Sequence, residues 1–238
     1  MQKADRQLVQ FALIICVSCS VLLSGIAAGL RDRQERQVEL DRKMNVLIAF
    51  GVDTRDESGR RITEEAVRDI FQSNIRGLVL DADTGEQISE ELVDQQLIRQ
   101  RIQLPLFIWE EDGEAVKFAF PVSGQGLWST IYGFLALERD LSTIAGITFF
   151  RHGETPGLGG EIDRPWFQEQ FVGKELLANG EVVDFRVIKG GVATRYPDGN
   201  PHAVDGISGA TITGDGVARF ITEDFRRYNV FFDQLRQS

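Results

Sequence analysis

The stretch from Leu8 to Leu30 holds no charged residue and is bounded by Arg6 and Arg31. As a helix rising ~1.5 Å per residue it can cross a hydrocarbon core of about 30 Å, so it separates the chain into two unlike parts. The alternative is a cleaved signal peptide, whose apolar core is about 7–15 residues and ends at a small-residue site. Ser24-Gly25-Ile26-Ala27-Ala28-Gly29 offers small residues, but the apolar run is too long for a signal core, and an uncleaved anchor is expected. Both cysteines, Cys16 and Cys19, sit inside this run, where a thiol behaves as a small apolar group. They have no further ligands to complete a tetrahedral site, so no metal site is expected.

This reading gives a short tail at 1–7, a transmembrane helix at 8–30, a charged helical stalk at 31–50 and one domain at 51–238. Lys3 and Arg6 precede the span, whereas Arg31, Arg33, Arg36, Arg42 and Lys43 come after it, so charge counting alone puts the domain on the cytoplasmic side. A net charge of -10 argues against a nucleic-acid partner, which would require basic surface to meet phosphates.

Within the domain, Thr63 reads as an N-cap with Glu64 and Glu65 in the first turn and Ala66, Val67, Ile70 and Phe71 on the apolar face. Leu106–Glu110 and Val116–Val122 flank Asp112-Gly113 and read as a β-hairpin. Thr130–Glu138, Ile144–Arg151 and Val182–Ile188 read as further strands. Asp163 before Arg164-Pro165 resembles a helix start. Val217, Phe220, Ile221 and Phe225 give a last helix its apolar face. Strands clustered between helices imply an α+β fold with a twisted, largely antiparallel sheet.

Three segments stand out chemically. Ser208-Gly209-Ala210-Thr211-Ile212-Thr213 places hydroxyls among small residues immediately before the last helix, which suits a phosphate near backbone amides; a strand end followed by a helix cap uses the same residue types. His152-Gly153-Glu154-Thr155-Pro156-Gly157-Leu158-Gly159-Gly160 is too rich in glycine for a packed element. It is either a plain connection or a loop whose backbone approaches a planar ligand, with Glu154 and Thr155 on its polar edge. Gly124-Gln125-Gly126-Leu127-Trp128 carries an aromatic among permissive glycines; Trp128 and Tyr132 either fill the core or pack beside a ligand or partner. No catalytic residue is expected, since His152 and His202 are the only histidines and no Gly-x-Ser-x-Gly elbow accompanies them.

Taken in order, Pro121–Trp128, His152–Gly159 and Ser208–Thr213 resemble the C subunit of the sodium-translocating NADH:quinone oxidoreductase. The hexapeptide and the Gly-Glu-Thr-Pro-Gly-Leu-Gly loop are also similar to the G subunit of Rnf electron-transport complexes, while the run Gly126–Glu138 favours the sodium pump. The resemblance implies FMN joined by a phosphoester to Thr213. It makes Ser208, Gly209, Ala210 and Thr211 the signature read by a flavin transferase, and gives Glu154, Thr155, Leu158 and Gly159 contacts to the isoalloxazine. It further implies electron transfer to a flavin of the B subunit within an inner-membrane complex, with the domain on the periplasmic side, against the charge count. A membrane-anchored interaction domain without a cofactor is the alternative of a different class.

Overall fold

The computed structural model describes residues 3–56, 58–89 and 102–237. The first two residues of the expected tail, and positions 57, 90–101 and 238 of the expected domain, lie outside the described residues. The chain forms two compact units, Met1–Arg42 and Lys43–Ser238. Helix α1 (Lys3–Ala49) supplies nearly all of the first. Its segment Phe11–Arg31 is long and apolar enough to cross a membrane, and it exposes Phe11, Leu13, Ile14, Val21, Leu22 and Leu23. An apolar surface of that extent is matched by lipid and is unfavourable in water.

The second unit begins at Lys43, before the boundary expected at 51. Val46, Ala49 and Phe50 are buried against the sheet, so the end of the stretch read as a stalk is part of the domain's packing. The Thr148 hydroxyl donates to Asn45 Oδ1 at 3.1 Å, and a Cβ on Gly146 would lie 2.5 Å from the Ala49 carbonyl oxygen. Only glycine lets the helix end approach the strand this closely.

Helix α2 (Glu64–Asn74) starts at Thr63, whose side chain accepts from the Ala66 amide, as a cap residue should. Strands β1 (Ile75–Asp81), β2 (Gln87–Ser89), β3 (Gln103–Glu111), β4 (Glu114–Gln125), β5 (Thr130–Glu138) and β6 (Ile144–Arg151) come next. They form one antiparallel sheet in the order β2-β1-β3-β4-β5-β6. Asp112 and Gly113 both have positive φ, 52° and 81°, which matches the right-handed twist of the β3–β4 hairpin.

Side chains alternate along these strands, and the alternation sorts them into two cores. Leu106, Ile108, Phe118, Phe120, Leu135 and Leu137 lie in the core that also holds the apolar face of helix α3 (Thr211–Arg227), whereas Phe107, Ala119, Phe134 and Ala136 share a core with the end of α1 and with Phe71 of α2. The first core is aromatic: Phe120 meets Phe225, Tyr228 and Phe232 edge-on at centroid distances of 5.1, 4.7 and 5.6 Å. Phe232 belongs to helix α4 (Asn229–Gln237), which succeeds α3 after Tyr228. The Tyr228 hydroxyl donates to the Pro105 carbonyl at 2.7 Å, satisfying the one polar atom that this cluster buries on the ring.

Three expectations are corrected. Val182–Ile188 is not one strand: Glu181–Val182 pairs with Leu177–Ala178, and Arg186–Ile188 pairs in parallel with Ala203–Asp205. The helix start expected at Arg164-Pro165 is present, with Pro165 opening the single turn Pro165–Gln168, but Arg164 is the residue ahead of it and Asp163 ends a separate 3-10 turn (Gly159–Asp163). The last helix of the expected pattern begins at Thr211, so Thr211 and Thr213 lie in its first turn and not ahead of it.

Candidate functional site

Helix α3 reaches the end of the sheet because two glycines admit it. A Cβ on Gly216 would lie 2.5 Å from the Gln125 carbonyl oxygen, and one on Gly124 would overlap Phe220. Asp224 accepts the Ser123 amide at 2.8 Å, and Arg219 donates to the Gln125 carbonyl at 3.1 Å, fixing the helix along β4. The first turn of α3 is thereby set beside the loop after β4 and the loop after β6. Ala210 precedes the first helical residue and no side chain caps this end, so the helix-cap reading of the hexapeptide is not what the hydroxyls do.

Glu154 joins the three segments. Its Oε1 accepts the amides of Trp128 at 2.9 Å and Ser129 at 3.2 Å, and its Oε2 accepts the amide of Leu127 at 3.2 Å and the Thr213 hydroxyl at 2.7 Å. Both side chains are buried, Glu154 at 5% and Thr213 at 1% relative exposure. Glycine closes the space on either side: a Cβ on Gly126 would lie 2.7 Å from Glu154 Oε1, and one on Gly159 would lie 2.6 Å from Thr213 Oγ1 and 2.9 Å from Glu154 Oε2. Burial pushes the Glu154 carboxyl up. The Thr213 hydroxyl and the amides of Trp128, Ser129 and Leu127 together outweigh it and hold the group below its ordinary value.

A carboxyl with a lowered folded-state pKa contributes stability that is present above its unfolded value and is lost as pH falls through the folded value. Asp56, Asp81 and Asp140 are also held low and titrate in the same acid window. Urea unfolding measured from neutral to acid pH is therefore expected to show a falling midpoint, with a shallower fall in Glu154→Gln. Parallel curves would show that Glu154 takes no part in the acid loss.

The other expected site residues divide by exposure. Thr155 and Leu158 are exposed, while Gly159 is buried; the Thr155 carbonyl accepts the Leu158 and Gly160 amides at 3.1 and 2.9 Å, which shapes the loop. Ser208, Gly209 and Thr211 are exposed and Ala210 is buried. Gly209 takes a φ of 76°, and a Cβ there would lie 2.9 Å from Leu158 Cδ2, so the second and third segments touch at this point too. Glu154, given to the isoalloxazine by the resemblance, has its oxygens on backbone amides and on Thr213. Trp128 does not fill the core: it is 68% exposed, and with Leu127, Leu158 and Ile212 it leaves apolar surface on the segments that meet at Glu154. Tyr132 is half-buried beneath the Arg151 guanidinium, 3.9 Å from its ring centroid.

The contribution of the Leu127–Ser129 amides was beyond sequence reasoning, because backbone donors leave no mark on residue type. A glycine-flanked turn after a strand was the only available signal.

The FMN-binding domain family model matches residues 126–223, a span that includes Glu154, Gly159 and Thr213. The C subunit of the Na(+)-translocating NADH-quinone reductase of Yersinia pestis is 36% identical over 228 residues, covering 86% of this chain and 82% of that protein. The corresponding protein of Pseudomonas aeruginosa is 34% identical over 240 residues, covering 91% and 89%. Among solved structures, NqrC of Shewanella oneidensis superposes with a TM-score of 0.71 at 30% identity, covering 86% of this chain and all of that one. The C subunit from Parabacteroides distasonis gives 0.72 at 28% identity, covering 85% and 96%. With an apolar N-terminal helix, a six-stranded antiparallel sheet and an FMN-binding domain, this chain belongs to the NqrC family, the C subunits of the Na(+)-translocating NADH-quinone reductase.

Proposed function

We propose that this chain carries FMN esterified through its phosphate to Thr213 Oγ1, and that it relays electrons derived from NADH to another flavin of the complex, in the B subunit. The observation that carries this reading is the convergence of three distant segments on one buried hydroxyl, bounded by Gly159, where a Cβ would occupy the space beside the oxygen. The residues fit the group. The acceptor lies in the first turn of α3, whose N-terminal amides favour an anion, and Leu127, Trp128, Leu158 and Ile212 offer apolar surface to a planar ring.

A pocket beside Glu154, bounded in part by His152, Pro156 and Gly160, has a volume of about 110 Å³. Sites that enclose a cofactor run to ~300–1,000 Å³. A covalent tether suits such a surface, because retention then does not depend on enclosure and an edge stays open for electron exchange. The bound flavin supplies reversible electron transfer at its ring; the protein's residues supply its position.

A flavin transferase reads the signature Ser208–Thr211 during maturation, and the domain works on the periplasmic side of the inner membrane, the side the resemblance implies. The test is mass spectrometry of the chain made with and without the transferase. The expected result is an adduct of FMN minus water on the tryptic peptide 196–219, with flavin fluorescence retained on a denaturing gel. A chain that stays unmodified beside the transferase would leave the interaction-domain reading in its place.

A further inference from the structure

We propose that Glu154 is a catalytic residue in the maturation of this protein: it orients Thr213 Oγ1 and accepts its proton as the flavin ester forms. This rests on the reading of Thr213 as the acceptor. The geometry carries it: the carboxylate lies 2.7 Å from the reacting oxygen, and both groups are buried, so the carboxylate replaces solvent as the acceptor of that proton. The amides of Leu127, Trp128 and Ser129 fix the carboxylate, and Gly159 leaves the hydroxyl no room for a side chain on that flank.

The chemistry sets the form of the donor. Joining free FMN to a hydroxyl would expel water against a large excess of water, so the donor must carry an activated 5′-phosphate, which means a flavin pyrophosphate ester. Thr213 Oγ1 attacks the flavin-side phosphorus and the Oγ1–P bond forms. The bond from that phosphorus to the bridging oxygen breaks, and the nucleoside monophosphate leaves with the electron pair. The Oγ1–H bond breaks, and its proton passes to Glu154. Nothing is oxidised or reduced.

The same contact predicts a change in Glu154 once the reaction is over. When esterified, Oγ1 has no proton to donate, and a phosphodiester anion faces the carboxylate that was its partner. Loss of the donor and gain of a like charge both favour the protonated acid. Glu154 thus binds a proton weakly before transfer and more tightly after it. His152, Glu161, Asp163 and Arg164 line a pocket that Glu154 also borders, with His152 Nε2 3.8 Å from Asp163 Oδ2.

The experiment uses the full chain in detergent micelles with the flavin transferase and flavin adenine dinucleotide, reading adduct formation by intact mass. The Glu154→Gln rate is expected to fall about 100-fold or more, with partial recovery in Glu154→Asp. A Glu154→Gln rate within about threefold of wild type, in the range where a lost base costs far more, would overturn the proposal. A second arm needs no substitution: the Glu154 carboxyl, labelled with carbon-13, is titrated by NMR before and after flavin attachment. An apparent pKa that rises on attachment supports the proposal, and one that stays or falls refutes it even if Glu154→Gln does not fold. Failure of the underlying reading looks different, since wild type would then gain no adduct or Thr213→Ala would gain one.

Discussion

Thr213→Ala is expected to abolish the FMN adduct completely, while Thr211→Ala retains it at a reduced rate. The two threonines lie two residues apart in the first turn of α3, yet the structure treats them differently. Thr213 is buried and its hydroxyl is held by Glu154; Thr211 is exposed. Alanine is a good helix former and removes only the hydroxyl and a methyl from a site that α3 already positions, so the fold should survive the change. Thr213→Ser keeps the oxygen and should keep the adduct. Intact mass on the three variants after expression with the transferase decides the matter. An adduct on Thr213→Ala, or its complete loss from Thr211→Ala with retention on Thr213→Ala, would move the attachment to another residue.

The second large effect concerns the seat of the helix that carries Thr213. Gly216→Ala is expected to destabilise the domain by about 3 kcal/mol, because its methyl meets a backbone carbonyl and not a side chain that can turn away. The gain in helix propensity from Gly to Ala, about 1 kcal/mol, works in the opposite direction and is the smaller term. Gly124→Ala presses on Phe220 of the same helix from the same strand. The two changes should therefore be sub-additive, since a helix already displaced by one methyl makes room for the other. Urea unfolding of both singles and the double measures this. A Gly216→Ala midpoint equal to or above wild type would mean that α3 does not rest on Gln125.

The strands that were legible in the sequence are those with clear breaks. β5 and β6 match their expected bounds, and the Asp112-Gly113 turn marks the hairpin, because alternation and turn chemistry act locally. Strand β1 was not foreseen: α2 runs to Asn74 and the strand begins at Ile75, with no glycine or proline between them to signal a change of period. Val182–Ile188 read as one strand by its β-branched and aromatic content, but two short pairings with different partners divide it. The expected stalk illustrates the same limit, since Val46 and Phe50 are scattered in a charged, helix-favouring stretch and only the sheet shows which surface they cover. At the candidate site the residue types were visible and their roles were not. Glu154 and Gly159 stood out as part of a glycine-rich loop, yet that they meet Thr213 is a contact over long sequence separation that no local pattern encodes.

The bond between Glu154 and Thr213 also sets an order of events in the life of the chain. Glu154, the Leu127–Ser129 amides and Thr213 come together only when α3, near the C-terminal end, has docked on a finished sheet. A nascent or misfolded chain displays the hexapeptide without this surrounding. On the proposed attachment at Thr213, the flavin would be a mark written only on domains whose α3 has docked, so colour would report a folded site as well as a loaded one.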